Sequence, residues 1–100
     1  MIVNPFKPEL MHKMSQVLKK NDIIYAGIFG SYAKNKQVND SDIDFLIEFN
    51  PTKKKTLFDM VDIQYELQDI LDKKVDLVTK NSLNKYIKNE ILNSVKVIYG

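Results

Sequence analysis

The sequence predicts an α/β domain in which helices pack on one mixed β-sheet of about four strands. Segments with helical spacing of apolar residues alternate with short runs rich in β-branched and aromatic residues. The 100 residues, of which 44% are hydrophobic and 28% charged, are enough for one hydrophobic core but not for two. We therefore predict that residues 1–100 form a single domain.

The first half of the chain holds one predicted helix and two predicted strands. Pro8 can occupy the first turn of a helix, and apolar residues then recur at helical spacing. The run over 23–29 is short, apolar, β-branched and aromatic, which indicates a buried strand. Ser31 can cap a short helical turn, and the residues over 35–41 are polar and loop-like. A strand over 42–49 begins with acidic residues.

The second half of the chain predicts two helices and two strands. Residues 56–71 form a helix with one apolar stripe, made of Leu57, Met60, Val61, Leu67 and Leu71 and widened by Ile63 and Ile70. A strand over 75–79 follows. Asn81 or Ser82 is expected to cap a last helix through residue 91 or 92. The alternating residues 95–99 predict a closing strand, which completes the mixed sheet.

Composition excludes several classes of function. The chain has no cysteine, which excludes disulfides and cysteine-ligated zinc. All 15 basic residues are lysines and the net charge is +2, so we expect no direct nucleic-acid binding and no arginine finger. The longest apolar run, over 23–31, is too short to cross a membrane. The start of the chain lacks a signal-peptide pattern, so a cytoplasmic protein is expected.

Three aspartates are candidate metal ligands. Asp42 and Asp44 are two residues apart on a predicted strand, so both point to one face, roughly 6.5–7 Å apart at their Cα atoms. Asp76 lies inside the apolar run Val-Asp-Leu-Val. If the two strands are neighbours, three carboxylates meet and repel one another unless a cation joins them. The alternatives are that the pair caps a strand end in water and that Asp76 binds a neighbouring loop.

Gly30 and Ser31 are candidate phosphate-binding residues. A glycine lets a phosphate approach the backbone, and a helical turn that starts at Ser31 would direct free N–H groups toward an anion. The alternative is an ordinary junction between a strand and a helix.

The whole pattern resembles a known superfamily. It consists of Gly30-Ser31, ten intervening residues, Asp42-x-Asp44, and Asp76 on a later strand. The pattern is similar to that of the nucleotidyltransferase superfamily of DNA polymerase β. It resembles more closely the minimal nucleotidyltransferases of MntA type, which are adenylyltransferase antitoxins of HEPN-domain ribonuclease toxins. The similarity extends over residues 23–99.

The resemblance implies a role for each candidate residue. Gly30 and Ser31 would bind the triphosphate of ATP. Asp42 and Asp44 would hold two Mg²⁺ ions, or Mn²⁺, and Asp76 would complete the metal site and help to activate the attacking hydroxyl. All three aspartates would thus be catalytic residues and metal ligands. The transferred group would be AMP, and the acceptor would be a tyrosine of the HEPN toxin, whose ribonuclease activity is thereby silenced.

The chain departs from the family pattern in two respects, and two alternative functions stay open. Relatives often carry Arg-Gly where this chain has Lys34-Asn35, which removes the bidentate guanidinium fork. No separate acceptor-binding domain is apparent, so the toxin or a second copy of this chain is expected to supply that surface. The alternative functions are a non-catalytic antitoxin or scaffold that covers its partner, and a dimeric nucleotidyltransferase of small molecules such as antibiotics.

Overall fold

A computed structural model describes residues 6–30 and 42–100 and confirms the predicted fold class. The elements are α1 (Pro8–Lys20), β1 (Ile23–Phe29), β2 (Ile43–Phe49), α2 (Leu57–Leu71), β3 (Val75–Thr79), a 3₁₀ turn (Lys80–Ser82), α3 (Lys85–Ser94) and β4 (Lys96–Tyr99). The predicted helical turn after Ser31 and the loop over 35–41 lie outside the described residues. Within the described ranges, no helix combines the length and the apolar character needed to cross a membrane.

The four strands form one mixed sheet in the order β3-β2-β1-β4. β1 is antiparallel to both β2 and β4, whereas β2 and β3 are parallel. The parallel pair starts at the same end of the sheet, because Ile43 is aligned with Val75. Asp44 and Asp76, each the second residue of its strand, are therefore neighbours. The three predicted aspartates can form one site only if these two strands are adjacent.

The hydrophobic core lies between the sheet and the helices α1 and α2. Alternate residues of β2 point into it, and the core side chains include Met14, Leu18, Ile43, Phe45, Ile47, Ile63 and Leu67. The ring of Phe6 stacks on that of Phe45 with centroids 6.3 Å apart. Since side chains alternate along a strand, Asp44 lies on the face of the sheet opposite to these helices.

The predicted apolar stripe of α2 is wrong at two positions. Leu57 and Val61 are 82% and 43% exposed, whereas Ile63 and Leu67 are fully buried. At 100° per residue, the exposed pair lies roughly 120° round the helix axis from the buried pair. The helix begins at a capping box between Thr56 and Asp59, and this start holds Leu57 in the exposed first turn.

The start of the last helix also differs from the prediction. Neither Asn81 nor Ser82 caps it, because these two residues belong to the 3₁₀ turn. The cap is Asn84, whose side-chain oxygen accepts hydrogen bonds from the backbone N–H groups of Tyr86 and Ile87. The Ser82 hydroxyl instead donates to the carbonyl of Thr79 at 2.9 Å. Three of the four residues 81–84 can cap a helix, and local periodicity does not indicate which of them is the cap.

Candidate functional site

Strand register brings the predicted carboxylates to one end of the sheet. Asp44 of β2 and Asp76 of β3 are direct partners in the parallel pair, so their side chains share a face. Neighbouring strands lie about 4.8 Å apart. Asp42 precedes β2 by one residue, and it is close enough for its charge to act on the Asp44 carboxyl. All three aspartates are partly buried.

Gly30 lies against this cluster at the end of β1. Its φ of +73° falls in the left-handed region that favours glycine. A Cβ atom placed on it would lie 2.5 Å from Oδ2 of Asp44. Gly30, the residue that follows β1, therefore lies directly beside the Asp44 carboxylate. Its phosphate-binding role stays a prediction. Ser31, the other predicted nucleotide-binding residue, lies outside the described residues.

The electrostatics of the cluster favour a cation. Burial raises the pKa of the Asp44 carboxyl above its ordinary value, and the negative charges of Asp76 and Asp42 raise it further. Carboxylates that repel one another in this way are stabilised by a positive ion between them.

The three carboxylates do not form a closed metal cage. In the described part of the chain, no three acidic, histidine or cysteine side chains are grouped closely enough to hold an ion by themselves. Mg²⁺ commonly takes only one or two protein carboxylates and fills its other positions with water and substrate phosphates. Oxygen ligands at this end of the sheet fit that mode of binding.

Two glutamines of α2 support the strand that holds Asp76. The side-chain amide of Gln64 donates to the carbonyl of Val75 at 2.7 Å. The N–H of Val75 in turn donates to the side-chain oxygen of Gln68 at 3.1 Å. Neither glutamine was predicted from the sequence. The signal that could have found them is a pair of polar residues at a spacing of four beside the buried side of a helix.

The far end of the same strands is a different environment. A cleft of about 270 Å³ there is lined in part by Glu48, Lys53 and Lys80. The Lys80 ammonium lies 3.6 Å from the ring centroid of Tyr25 and 3.7 Å from the Glu48 carboxylate. Burial and the charge of Glu48 raise the pKa of the Tyr25 hydroxyl. Since Glu48 is four residues along β2 from Asp44, roughly 13 Å, this cleft is separate from the carboxylate cluster.

Sequence relatives of this chain are protein adenylyltransferases by name. A Methanocaldococcus jannaschii protein that is assigned as a protein adenylyltransferase is 45% identical over 85 residues. These residues cover 85% of this chain and 89% of the relative. The protein adenylyltransferase MntA of Thermococcus cleftensis is 35% identical over 69 residues, covering 69% of this chain and 68% of that protein.

Solved structures share the fold. A chain of a toxin–antitoxin complex crystallised with AMP-PNP superposes with a TM-score of 0.77 and 24% identity, covering 90% of this chain and 73% of that one. A chain of the complex between the tri-AMPylated Shewanella oneidensis HEPN toxin and its MNT antitoxin superposes with a TM-score of 0.69 and 21% identity, covering 92% and 71%.

The family follows from the sequence match itself. The profile of the family described as "Polymerase beta, Nucleotidyltransferase" matches residues 12–100. This range includes every described element except the first turn of α1. It also includes Gly30 and the three aspartates gathered at one end of the sheet. The chain belongs to the polymerase beta nucleotidyltransferase family.

Proposed function

We propose that this chain is a protein adenylyltransferase antitoxin, which transfers AMP from ATP to a tyrosine of a HEPN-domain ribonuclease toxin and so neutralises it. The names of the sequence relatives support adenylyl transfer to protein. The AMPylated toxin in the Shewanella complex supports a HEPN-domain acceptor. The observation that supports the chemistry most directly is the alignment of Asp44 with Asp76 beside Gly30.

Asp42, Asp44 and Asp76 are the proposed ligands of Mg²⁺ or Mn²⁺. The fit rests on their oxygen donors and their common end of the sheet. It rests also on the raised pKa of Asp44, which is due to burial and, in addition, to the charges of Asp76 and Asp42. When bound, such ions neutralise phosphate charge and stabilise the negative oxygens of the transferring group.

The residues of this chain bind ATP and receive a proton. The turn at Gly30 and Ser31 binds the triphosphate through backbone N–H groups and the serine hydroxyl. The tyrosine oxygen of the acceptor forms a bond to the α-phosphorus, and the bond from that phosphorus to pyrophosphate breaks. Because a tyrosine hydroxyl has a pKa of about 10, its proton needs an acceptor at neutral pH. We assign that role to Asp76.

We propose that residues 1–100 act as one minimal nucleotidyltransferase domain in the cytoplasm, where ATP and the toxin are available. The acceptor surface belongs to the toxin, with which the chain forms a hetero-oligomer. The near-neutral net charge of +2 and the absence of arginine support a chain that does not bind nucleic acid directly.

The test is transfer of label from ATP carrying a labelled α-phosphate to a HEPN-domain ribonuclease of the same genome, with Mg²⁺ present. We expect transfer by the unaltered chain. Asp42→Asn and Asp44→Asn should abolish it, and Asp76→Asn should slow it about 10²–10⁴-fold, the usual contribution of a general base. Asp69→Asn, an exposed change on α2, is the matched control and should retain full activity. Full activity of Asp44→Asn would refute the proposed site.

A further inference from the structure

We propose that Gln64 and Gln68 are positioning residues for Asp76, which they hold in place through the peptide groups of Val75. This inference rests on the proposed function of Asp76. Neither glutamine belongs to the pattern of glycine, serine and aspartates by which the site is recognised. Both were identified only by the hydrogen bonds that they make in the folded chain.

The two glutamines satisfy an open sheet edge. β3 is an edge strand whose only strand neighbour in the described sheet is β2. On the inner side, the N–H of Ile43 donates to the carbonyl of Lys74 at 2.9 Å. The N–H and C=O groups of Val75 point the other way, where no strand of the described sheet follows, because successive residues of a strand direct these groups to alternate sides. Gln64 and Gln68 supply the donor and the acceptor that a further strand would have supplied.

The two glutamines belong to a helix that is packed into the hydrophobic core. Gln64 and Gln68 are one helical turn apart, so both face the same point of β3. Ile63 directly precedes Gln64, and Leu67 directly precedes Gln68. Both are fully buried in the core, as is Val75 itself. The side chains that bind the Val75 backbone are therefore fixed to the same core as the sheet.

The position of the Val75 peptide determines the position of the next side chain. Asp76 follows Val75 directly and must remain aligned with Asp44 for the two carboxylates to share an ion. A free edge strand can shift or fray at its first residue. Bonds from α2 on one side and from β2 on the other prevent such a shift. Ligand-supporting groups of this kind typically change metal affinity or activity about 10–100-fold when they are lost.

The chemistry of the two bonds differs, and this difference makes the proposal testable. Gln64 acts as a donor, so Gln64→Glu removes the N–H and places a carboxylate against the Val75 carbonyl. Gln68 acts as an acceptor, so Gln68→Glu keeps an oxygen for the Val75 N–H. Both changes add the same negative charge one helical turn apart. A general effect of charge would therefore affect both variants alike.

The experiment is a titration of the intact chain with Mn²⁺ in the presence of AMP-PNP, well below the melting temperature of each variant. Gln64→Glu should raise the half-saturating Mn²⁺ concentration about 10–100-fold. Gln68→Glu should remain close to the unaltered chain. Gln16→Glu, on the exposed face of α1, is the matched control for added charge and should also remain unchanged.

Several outcomes decide between positioning and mere stabilisation. If Gln64→Glu lowers the melting temperature but binds Mn²⁺ and AMP-PNP as the unaltered chain does, the positioning role is overturned. If Gln64→Glu does not fold, Gln64→Ala replaces it, and faster hydrogen exchange of the Asp76 amide should accompany weaker Mn²⁺ binding. Unchanged Mn²⁺ binding by a folded Gln64→Ala would overturn the inference alone. Failure of the unaltered chain to bind Mn²⁺ with AMP-PNP would overturn the proposed function itself.

Discussion

Replacement of Gly30 by alanine tests the close approach of Gly30 to the Asp44 carboxylate. Two separate effects are expected. The backbone of Gly30 has a φ of +73°, and an alanine in this left-handed region costs about 1–2 kcal/mol. The added Cβ would also lie 2.5 Å from Oδ2 of Asp44, so that carboxylate must rotate away.

The approach of the added Cβ to Asp44 should change the stability of the fold little and the activity of the site strongly. The atom in conflict is at the end of a short side chain, and an off-rotamer torsion costs about 0.5–1.5 kcal/mol. The total loss of unfolding free energy should thus be about 1.5–3.5 kcal/mol, which a domain with a typical stability of about 5–15 kcal/mol survives. A displaced ligand, however, is expected to reduce adenylyl transfer about 10²-fold.

A double-mutant cycle with Asp44→Ala separates the two effects. In the absence of the carboxylate, Gly30→Ala should cost only the backbone part, so the coupling energy from urea unfolding should be about 0.5–1.5 kcal/mol. Gly30→Asn, which tolerates the left-handed conformation better, should cost less than alanine but show the same coupling. Strict additivity of Gly30→Ala and Asp44→Ala would refute the contact between Gly30 and Asp44.

Four further substitutions are expected to give distinct results. Because the folded-state pKa of Asp44 is raised, its ionisation destabilises the fold as pH rises through and above the ordinary carboxyl pKa. Asp44→Asn should therefore gain up to about 1 kcal/mol on the unaltered chain at pH 7, and urea unfolding at pH 3 should show that gain lost. Ser31→Ala should weaken ATP binding by about one hydrogen bond, ~1 kcal/mol, in a direct binding assay. Gly30→Val should weaken it more, and the reverse order would mean that the turn does not face the nucleotide. Thr56→Ala removes the cap of α2 and should cost about 1 kcal/mol in thermal unfolding. It should leave ATP affinity intact, and a weaker affinity of the folded variant would contradict this separation.

Local sequence patterns were sufficient for most of the fold. The strands and the first two helices follow from periodicity and from turn-forming residues, which act over a few positions. The start of α3 was misplaced because Asn81, Ser82 and Asn84 all have the chemistry of a helix cap. Leu57 and Val61 were misplaced because apolar spacing shows that a helix has an apolar stripe but not how much of it the sheet covers.

The sequence predicts which residues could form the candidate site, but it does not predict their geometry. The spacing of two predicts that Asp42 and Asp44 point to one side of a strand. Their distance from Asp76, however, depends on which strands are neighbours and in what register they pair. That information lies in long-range pairing, which no local pattern contains. The glutamine contacts to Val75 depend on the same pairing, and for this reason they became visible only in the folded chain.

The most direct test of adenylyl transfer is the mass of the toxin after incubation with a substoichiometric amount of this chain. A HEPN-domain ribonuclease is mixed with much less of this chain, Mg²⁺ and ATP, and its mass and ribonuclease activity are followed over time. A catalyst modifies many partner molecules, so we predict that most of the toxin gains AMP and stays inactive after this chain is removed. Unchanged toxin mass, with inhibition that needs equal molar amounts and no ATP, would contradict catalysis and indicate an antitoxin that acts by covering its partner.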